Sequence, residues 1–81
     1  MRLLVVGAGG VGSSMVSIAA RREVLEHIVV ADVDPVRAAR AAARVGSPHV
    51  VGTRVDASDR LDLVELARTT RADVIVNACD P

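Results

Sequence analysis

The sequence contains no phenylalanine, tyrosine or tryptophan, no lysine, and only one cysteine, Cys79. Each absence removes a class of function. Without aromatic rings there is nothing for unpaired bases to stack on. Ten basic residues, all arginine, are balanced by ten acidic ones, so there is no positive excess to neutralise phosphates. A nucleic-acid partner is therefore not expected. One cysteine cannot close an internal disulfide, and His27 and His49 stand at unrelated positions that suggest no metal site. No apolar run approaches the ~20 residues of a membrane span. The start Met1-Arg2-Leu3 leads into glycines rather than a small-residue cleavage pattern, so no signal peptide is read. The expectation is a cytoplasmic chain with no membrane partner.

What is present is an apolar composition, 51% hydrophobic over 81 residues, which suits a globular fold. A chain this short buries a modest core and is marginal unless something else supports it. Arg37, Arg40 and Arg44 recur at i, i+3, i+7 and read as a solvated helix face.

Along the chain the pattern alternates. Arg2 to Val6 is a short, apolar run stopped by glycine, the pattern of a strand buried on both faces. Val11 to about Arg22 follows, with Val11, Met15, Ile18 and Ala19 at i, i+4, i+7, i+8 predicting one buried helical stripe. His27 to Ala31 is a second buried strand. Asp34-Pro35 opens a second helix with a strong N-cap and a proline at the first helical position, and Gly46 closes it. Val50 to Val55 reads as a third strand, weakened where Gly52 and Thr53 interrupt it. Ser58 or Asp59 caps a third helix over about Arg60 to Thr70, and Asp73 or Val74 to Asn77 is a fourth strand. The order β-α-β-α-β-α-β predicts a parallel sheet covered on both faces, in the α/β class. The Rossmann-type doubly wound topology gives strand order 3-2-1-4 for this part of a sheet. A fourth strand with nothing beyond it leaves unpaired backbone groups, so self-association through the open sheet edge is expected.

Gly7, Gly9 and Gly12 fill the three glycine positions of G-x-G-x-x-G. Gly7 allows a sharp turn out of the first strand, Gly9 allows a pyrophosphate close to the backbone, and Gly12 allows tight helix–strand packing. Gly10 and Val11 bring N–H groups to the helix N-terminus, where orphan donors and the helix dipole favour an anion. A glycine turn alone is weak evidence. Here a buried strand precedes it, a helix follows, and Asp32 stands twenty positions beyond Gly12, where a carboxylate takes the adenosine ribose hydroxyls. The constellation predicts a dinucleotide cofactor.

Asp32 suits the free 2′-hydroxyl of NAD and repels the 2′-phosphate of NADP. Two unit charges ~4 Å apart at an effective dielectric of ~20 interact by roughly 4 kcal/mol, enough to set the preference unless a cation compensates. Arg37 is the nearest basic residue. The expected cofactor is NAD, with NADP as the second choice. Asp34 competes with Asp32 for the role but serves equally as the cap before Pro35. Asp56 and Ala57 end the third strand and meet the adenine, or Asp56 is a turn carboxylate. Asn77 and Ala78 end the fourth strand beside the switch point. Cys79 reads as a small packing residue, and no acid–base pair or nucleophile marks a catalytic site.

The segments LLVVGAGGVGSSMV, HIVVADVDPVRAARAA, Val55-Asp56-Ala57-Ser58-Asp59 and Asp73 to Pro81 (DVIVNACDP) together resemble the N-terminal NAD(P)-binding domain of the saccharopine dehydrogenase family, over essentially the whole chain. The resemblance implies an oxidoreductase acting on an amino or imino acid, with the family's domain name tied in places to NADP. It implies that residues 1–81 are the N-terminal part of the dinucleotide domain. A separate domain would supply the amino-acid substrate pocket, and the 81 residues alone would be inactive. The alternative is a nucleotide-sensing regulatory domain resembling those that gate potassium transport, which shares the glycine loop, the acid after strand two and an acidic stretch like Asp56–Asp59. The Asn77 to Pro81 ending favours the dehydrogenase.

Overall fold

The structure is a computed structural model that describes residues 1–79. The closing Asp80-Pro81 of the family-like ending lies outside the described residues. Seven elements follow in order: β1 (Arg2–Val6), α1 (Gly10–Ala19), β2 (His27–Asp32), α2 (Pro35–Val45), β3 (Val50–Arg54), α3 (Arg60–Thr70) and β4 (Val74–Asn77). The strands form one parallel sheet in the order β3-β2-β1-β4, with Leu4 beside Val29 on one side and Ile75 on the other.

Strand alternation sorts the core into two layers. Leu3, Val5, Ile28, Val30 and Val50 point to the face where Val16 and Ala19 of α1 and Ala41 of α2 pack. Leu4, Val6, Val29 and Ala31 point to the other face, with Val55, Leu63, Leu66 and Ala67 against them. Right-handed crossovers put consecutive helices α1 and α2 on one face, and the reversal from β3 to β4 puts α3 on the other. Each fully buried leucine, isoleucine or valine contributes roughly 1.5–3 kcal/mol.

The helix ends follow their local chemistry. Asp34 Oδ1 accepts the N–H groups of Val36 at 2.9 Å and Arg37 at 3.3 Å, and Pro35 occupies the first turn. Asp59, not Ser58, caps α3, accepting from Leu61 at 3.0 Å and Asp62 at 3.3 Å. Caps of this kind contribute about 1 kcal/mol each.

Three expectations are corrected. The buried stripe of α1 is Gly12, Val16 and Ala19, rotated from the predicted one, while Val11 and Ile18 are exposed at 66% and 59%. The close approach at Gly12 decides which face turns inward, because only there can the helix backbone come down onto β1. Gly52 does not weaken β3 but admits α2: a Cβ there would lie 2.5 Å from the Ala38 carbonyl oxygen. The outer strands are not buried on both faces. In β4 no residue is fully buried, and α3 likewise has no fully buried residue, because among the described residues nothing covers that flank.

Candidate functional site

The C-terminal ends of β1, β2, β3 and β4 meet the N-terminus of α1 around one cleft of about 510 Å³, within the usual range for small-ligand sites. Its floor is the glycine loop. Gly7 has φ +106°, the left-handed region that favours glycine, and its N–H donates to the Ala31 carbonyl at 2.7 Å. A Cβ at Gly7 would sit 2.9 Å from the Ala78 backbone. The loop is thus pinned between β2 and the end of β4, where the Ala78 N–H donates to the Val6 carbonyl at 2.7 Å.

Gly9 and Gly10 differ in kind from Gly7 and Gly12. A Cβ on either would meet nothing within 4 Å, whereas one on Gly12 would lie 1.7 Å from the Gly7 carbonyl oxygen. Packing explains Gly7 and Gly12. Nothing in the protein's own packing explains Gly9 or Gly10, and both line the cleft. Gly9 is the N-cap of α1 and offers no side-chain cap to the first-turn N–H groups, which leaves donors and the positive end of the helix dipole for an anion. Val11 lines the cleft beside them, and Gly12 does not; Gly12 acts through helix packing.

Among the described residues Asp32 is the buried charged side chain, 7% exposed. Its Oδ2 accepts the Ala8 N–H at 2.8 Å and its Oδ1 the Asp34 N–H at 2.9 Å. Burial works to raise its pKa, but the two N–H groups and the Arg37 guanidinium outweigh it and hold the carboxyl below its ordinary value. Asp32 is ionised at neutral pH. Arg37 Nη1 lies 3.8 Å from Oδ2, and both residues line the cleft. Asp34 does not line it; its carboxylate is spent on the α2 cap.

On the β3 side Asp56, Ala57 and Ser58 line the cleft. Asp56 Oδ1 accepts the Ser58 hydroxyl at 2.6 Å and the Ser58 N–H at 3.0 Å. These bonds, the hydroxyl first, lower the Asp56 pKa. Asp56 is therefore a turn carboxylate and a cleft residue at once. Ala78 and Cys79 close the wall. Asn77 does not line it; its Oδ1 accepts the Cys79 N–H at 3.0 Å. Cys79 is an exposed wall residue rather than a packing one; its Sγ lies 3.6 Å from the Val6 carbonyl oxygen.

Val33, Val55, Ser58 and Cys79 line the cleft without having been singled out from sequence for it. Each follows or ends a strand at the carboxyl edge of the sheet, and that position was the available signal. What the cleft offers is binding: a helix N-terminus for a diphosphate, a fixed carboxylate for hydroxyls, and the exposed Val33 as an apolar wall for a flat ring. Among the described residues no helix is long and apolar enough to cross a membrane.

Comparison with known proteins agrees with this geometry. The family model described as saccharopine dehydrogenase NADP binding domain matches residues 3–81. Carboxyaminopropylagmatine dehydrogenase from Synechocystis is 34% identical over 99% of this chain, which spans 20% of that protein's length. Among solved structures, quinate dehydrogenase from Corynebacterium glutamicum in complex with NAD superposes with a TM-score of 0.75 at 28% identity, over 96% of this chain and 26% of that one. Sorbitol-6-phosphate 2-dehydrogenase from Erwinia amylovora gives 0.79 at 27% identity, over 98% and 34%. The chain thus spans between a fifth and about a third of these relatives.

Proposed function

This chain belongs to the family of saccharopine dehydrogenase NADP-binding domains, and we propose that it is the part of such a domain that holds the ADP portion of NAD in an amino-acid oxidoreductase. The observation that carries the reading is the contrast among the glycines. Gly9 and Gly10 are open where Gly7 and Gly12 are filled, and the opening lies in the same cleft as the ionised Asp32. In this reading the pyrophosphate takes the N–H groups at Gly10 and Val11, the ribose hydroxyls take Asp32, and the adenine lies by Asp56 and Ala57. NAD is favoured over NADP because the carboxylate receives hydroxyl donors. Binding of the ADP portion is the role of residues 1–81. The nicotinamide half and an amino-acid substrate require elements that the longer relatives carry, so these residues bind without turnover.

Asp32, Val33 and Asp56 to Ser58 place most of the cleft's lining on the β2 and β3 side, the adenosine side of such a sheet. ADP-ribose should therefore bind to within about threefold of NAD in calorimetry, and nicotinamide mononucleotide should not bind measurably. Equal binding of the mononucleotide, or none of ADP-ribose, would overturn the reading.

A further inference from the structure

The formal net charge of zero conceals an uneven distribution. α1 and α2 together hold three arginines, Arg37, Arg40 and Arg44, and no acidic residue. Asp56 to Thr70, the turn into α3 and α3 itself, hold four carboxylates against two arginines, Arg60 and Arg68. α1 and α2 pack on one face of the sheet and α3 on the other. The helices are thus basic on one side of the sheet and acidic on the opposite side.

Each side also leaves apolar side chains in water. Between α1 and α2 runs a groove of about 480 Å³ lined by Gly10, Ser13, Ser14, Ser17, Ile18 and Arg44. Ile18 is exposed there, its α1 neighbours in the groove are small, and α1 carries no charge. Another backbone can therefore come close. Among the described residues the ion pairs are Met1–Glu26, Arg37–Asp32 and Arg68–Glu65, so Arg44 has no acid partner. On α3, Leu61, Val64 and Glu65 are all exposed at i, i+3, i+4, which places them on one helix face. Leu61, at 81%, is the most exposed of the large apolar residues.

We propose that these two surfaces fit each other across copies: α3 of one copy docks over the α1–α2 groove of a second. Leu61 and Val64 cover Ile18 and the serines, and Glu65 meets the unpaired Arg44. Glu65 already takes Arg68 at 2.7 Å, but a carboxylate offers about four lone-pair sites and accepts a second guanidinium beside the first. The two surfaces lie on opposite sides of the sheet, so the contact is head-to-tail. Each added copy presents a free groove at one end and a free α3 at the other, and assembly grows stepwise instead of stopping at a twofold dimer. Charge holds this contact, so salt weakens it. Strand pairing at the β4 edge rests on backbone hydrogen bonds and is a separate route.

Sedimentation velocity on the 81-residue chain carrying Ile75→Lys, which disfavours pairing at β4, isolates the contact. This parent should associate with rising concentration at low salt, and at least tenfold more weakly in about 1 M salt, where the screening length falls to ~3 Å. Arg44→Glu spoils the groove and leaves α3 intact; Leu61→Glu spoils α3 and leaves the groove intact. Each variant alone should associate at least tenfold more weakly than the parent. Mixed in equal amounts they should form a 1:1 dimer and nothing larger, because one intact α3 meets one intact groove. The chain with Ile75 retained gives the same comparison through the salt-sensitive part of its association. A mixture that behaves as the sum of its parts overturns the proposal, as does a single variant that associates as strongly as the parent. So does association that salt leaves unchanged, or none at all.

Discussion

The Asp32 carboxylate accepts the Ala8 N–H at 2.8 Å, and this bond, next to that from the Gly7 N–H to the Ala31 carbonyl, ties the end of β2 to the middle of the glycine loop. It joins residues 24 apart in sequence and sets the carboxylate beside the N-terminus of α1. Asp32 therefore serves two ends. It holds the loop in shape and presents a fixed negative charge to the cleft.

Replacing Asp32 by serine should weaken NAD binding by roughly 1–3 kcal/mol, the effect of removing a charged acceptor from ribose hydroxyls. NADP should lose less, because a repelling charge leaves with the acceptor. Calorimetry with both cofactors checks this. Equal losses for the two would mean that Asp32 acts on the loop alone.

The same residue sets a pH dependence. Its folded-state pKa lies below its ordinary value, so its contribution to stability is present above pH ~4 and disappears as pH falls through the lower, folded value. Thermal melts followed by circular dichroism should show stability dropping below pH ~4. Asp32→Ser should flatten that drop. An unchanged acid slope in the variant would assign the dependence to other carboxylates.

Gly12 and Gly10 should respond oppositely to alanine. The Gly12 Cβ would lie 1.7 Å from the Gly7 carbonyl oxygen, so Gly12→Ala must displace α1 from β1, costing about 1–3 kcal/mol or more. Gly10 begins α1 with open space around its Cβ position, so Gly10→Ala should be neutral or stabilise by up to about 1 kcal/mol. Urea titrations distinguish the two, and equal destabilisation would contradict the described loop.

Much of this was legible in the sequence for physical reasons. β1 and β2 announce themselves as apolar runs because both their faces are covered, and Asp34-Pro35 marks the start of α2 because a cap needs only its neighbours. The strand order and the grouping of Gly9, Gly10, Asp32 and Asp56 follow from the alternating pattern. What was not legible depends on contacts distant in sequence. The apolar pattern of α1 does not fix its inward face, because Val11 and Ile18 are as apolar as Val16, and the choice between them is made by Gly12 against Gly7. Gly52 looked like a flaw in β3 because its reason, the Ala38 backbone, lies on another element. The approach of Arg37 to Asp32 depends on how α2 leaves β2, which spacing does not specify.

The β4 edge makes a further expectation. β4 pairs with β1 on one side and, among the described residues, has no strand on the other, while Val74 and Ile75 are 39% and 49% exposed. An uncovered apolar edge of this kind templates pairing. Size-exclusion chromatography with light scattering on the 81-residue chain should show species larger than a monomer, growing with concentration. Replacing Ile75 by lysine should reduce them. A concentration-independent monomer would show that β4 does not act as an open edge.

Gly9 is the residue on which the assignment of the cleft to a dinucleotide turns. A valine there would branch into the open space at the α1 N-terminus where the pyrophosphate is assigned, from a Cβ position with no heavy atom within 4 Å beyond its chain neighbours. Calorimetric titration of NAD into wild type and Gly9→Val, with circular dichroism on both, is the measurement. The prediction is saturable binding by the wild type, a loss of at least a hundredfold in the variant, and an unchanged helical signal. Undiminished binding in a folded Gly9→Val chain would contradict the assignment of this cleft to a dinucleotide.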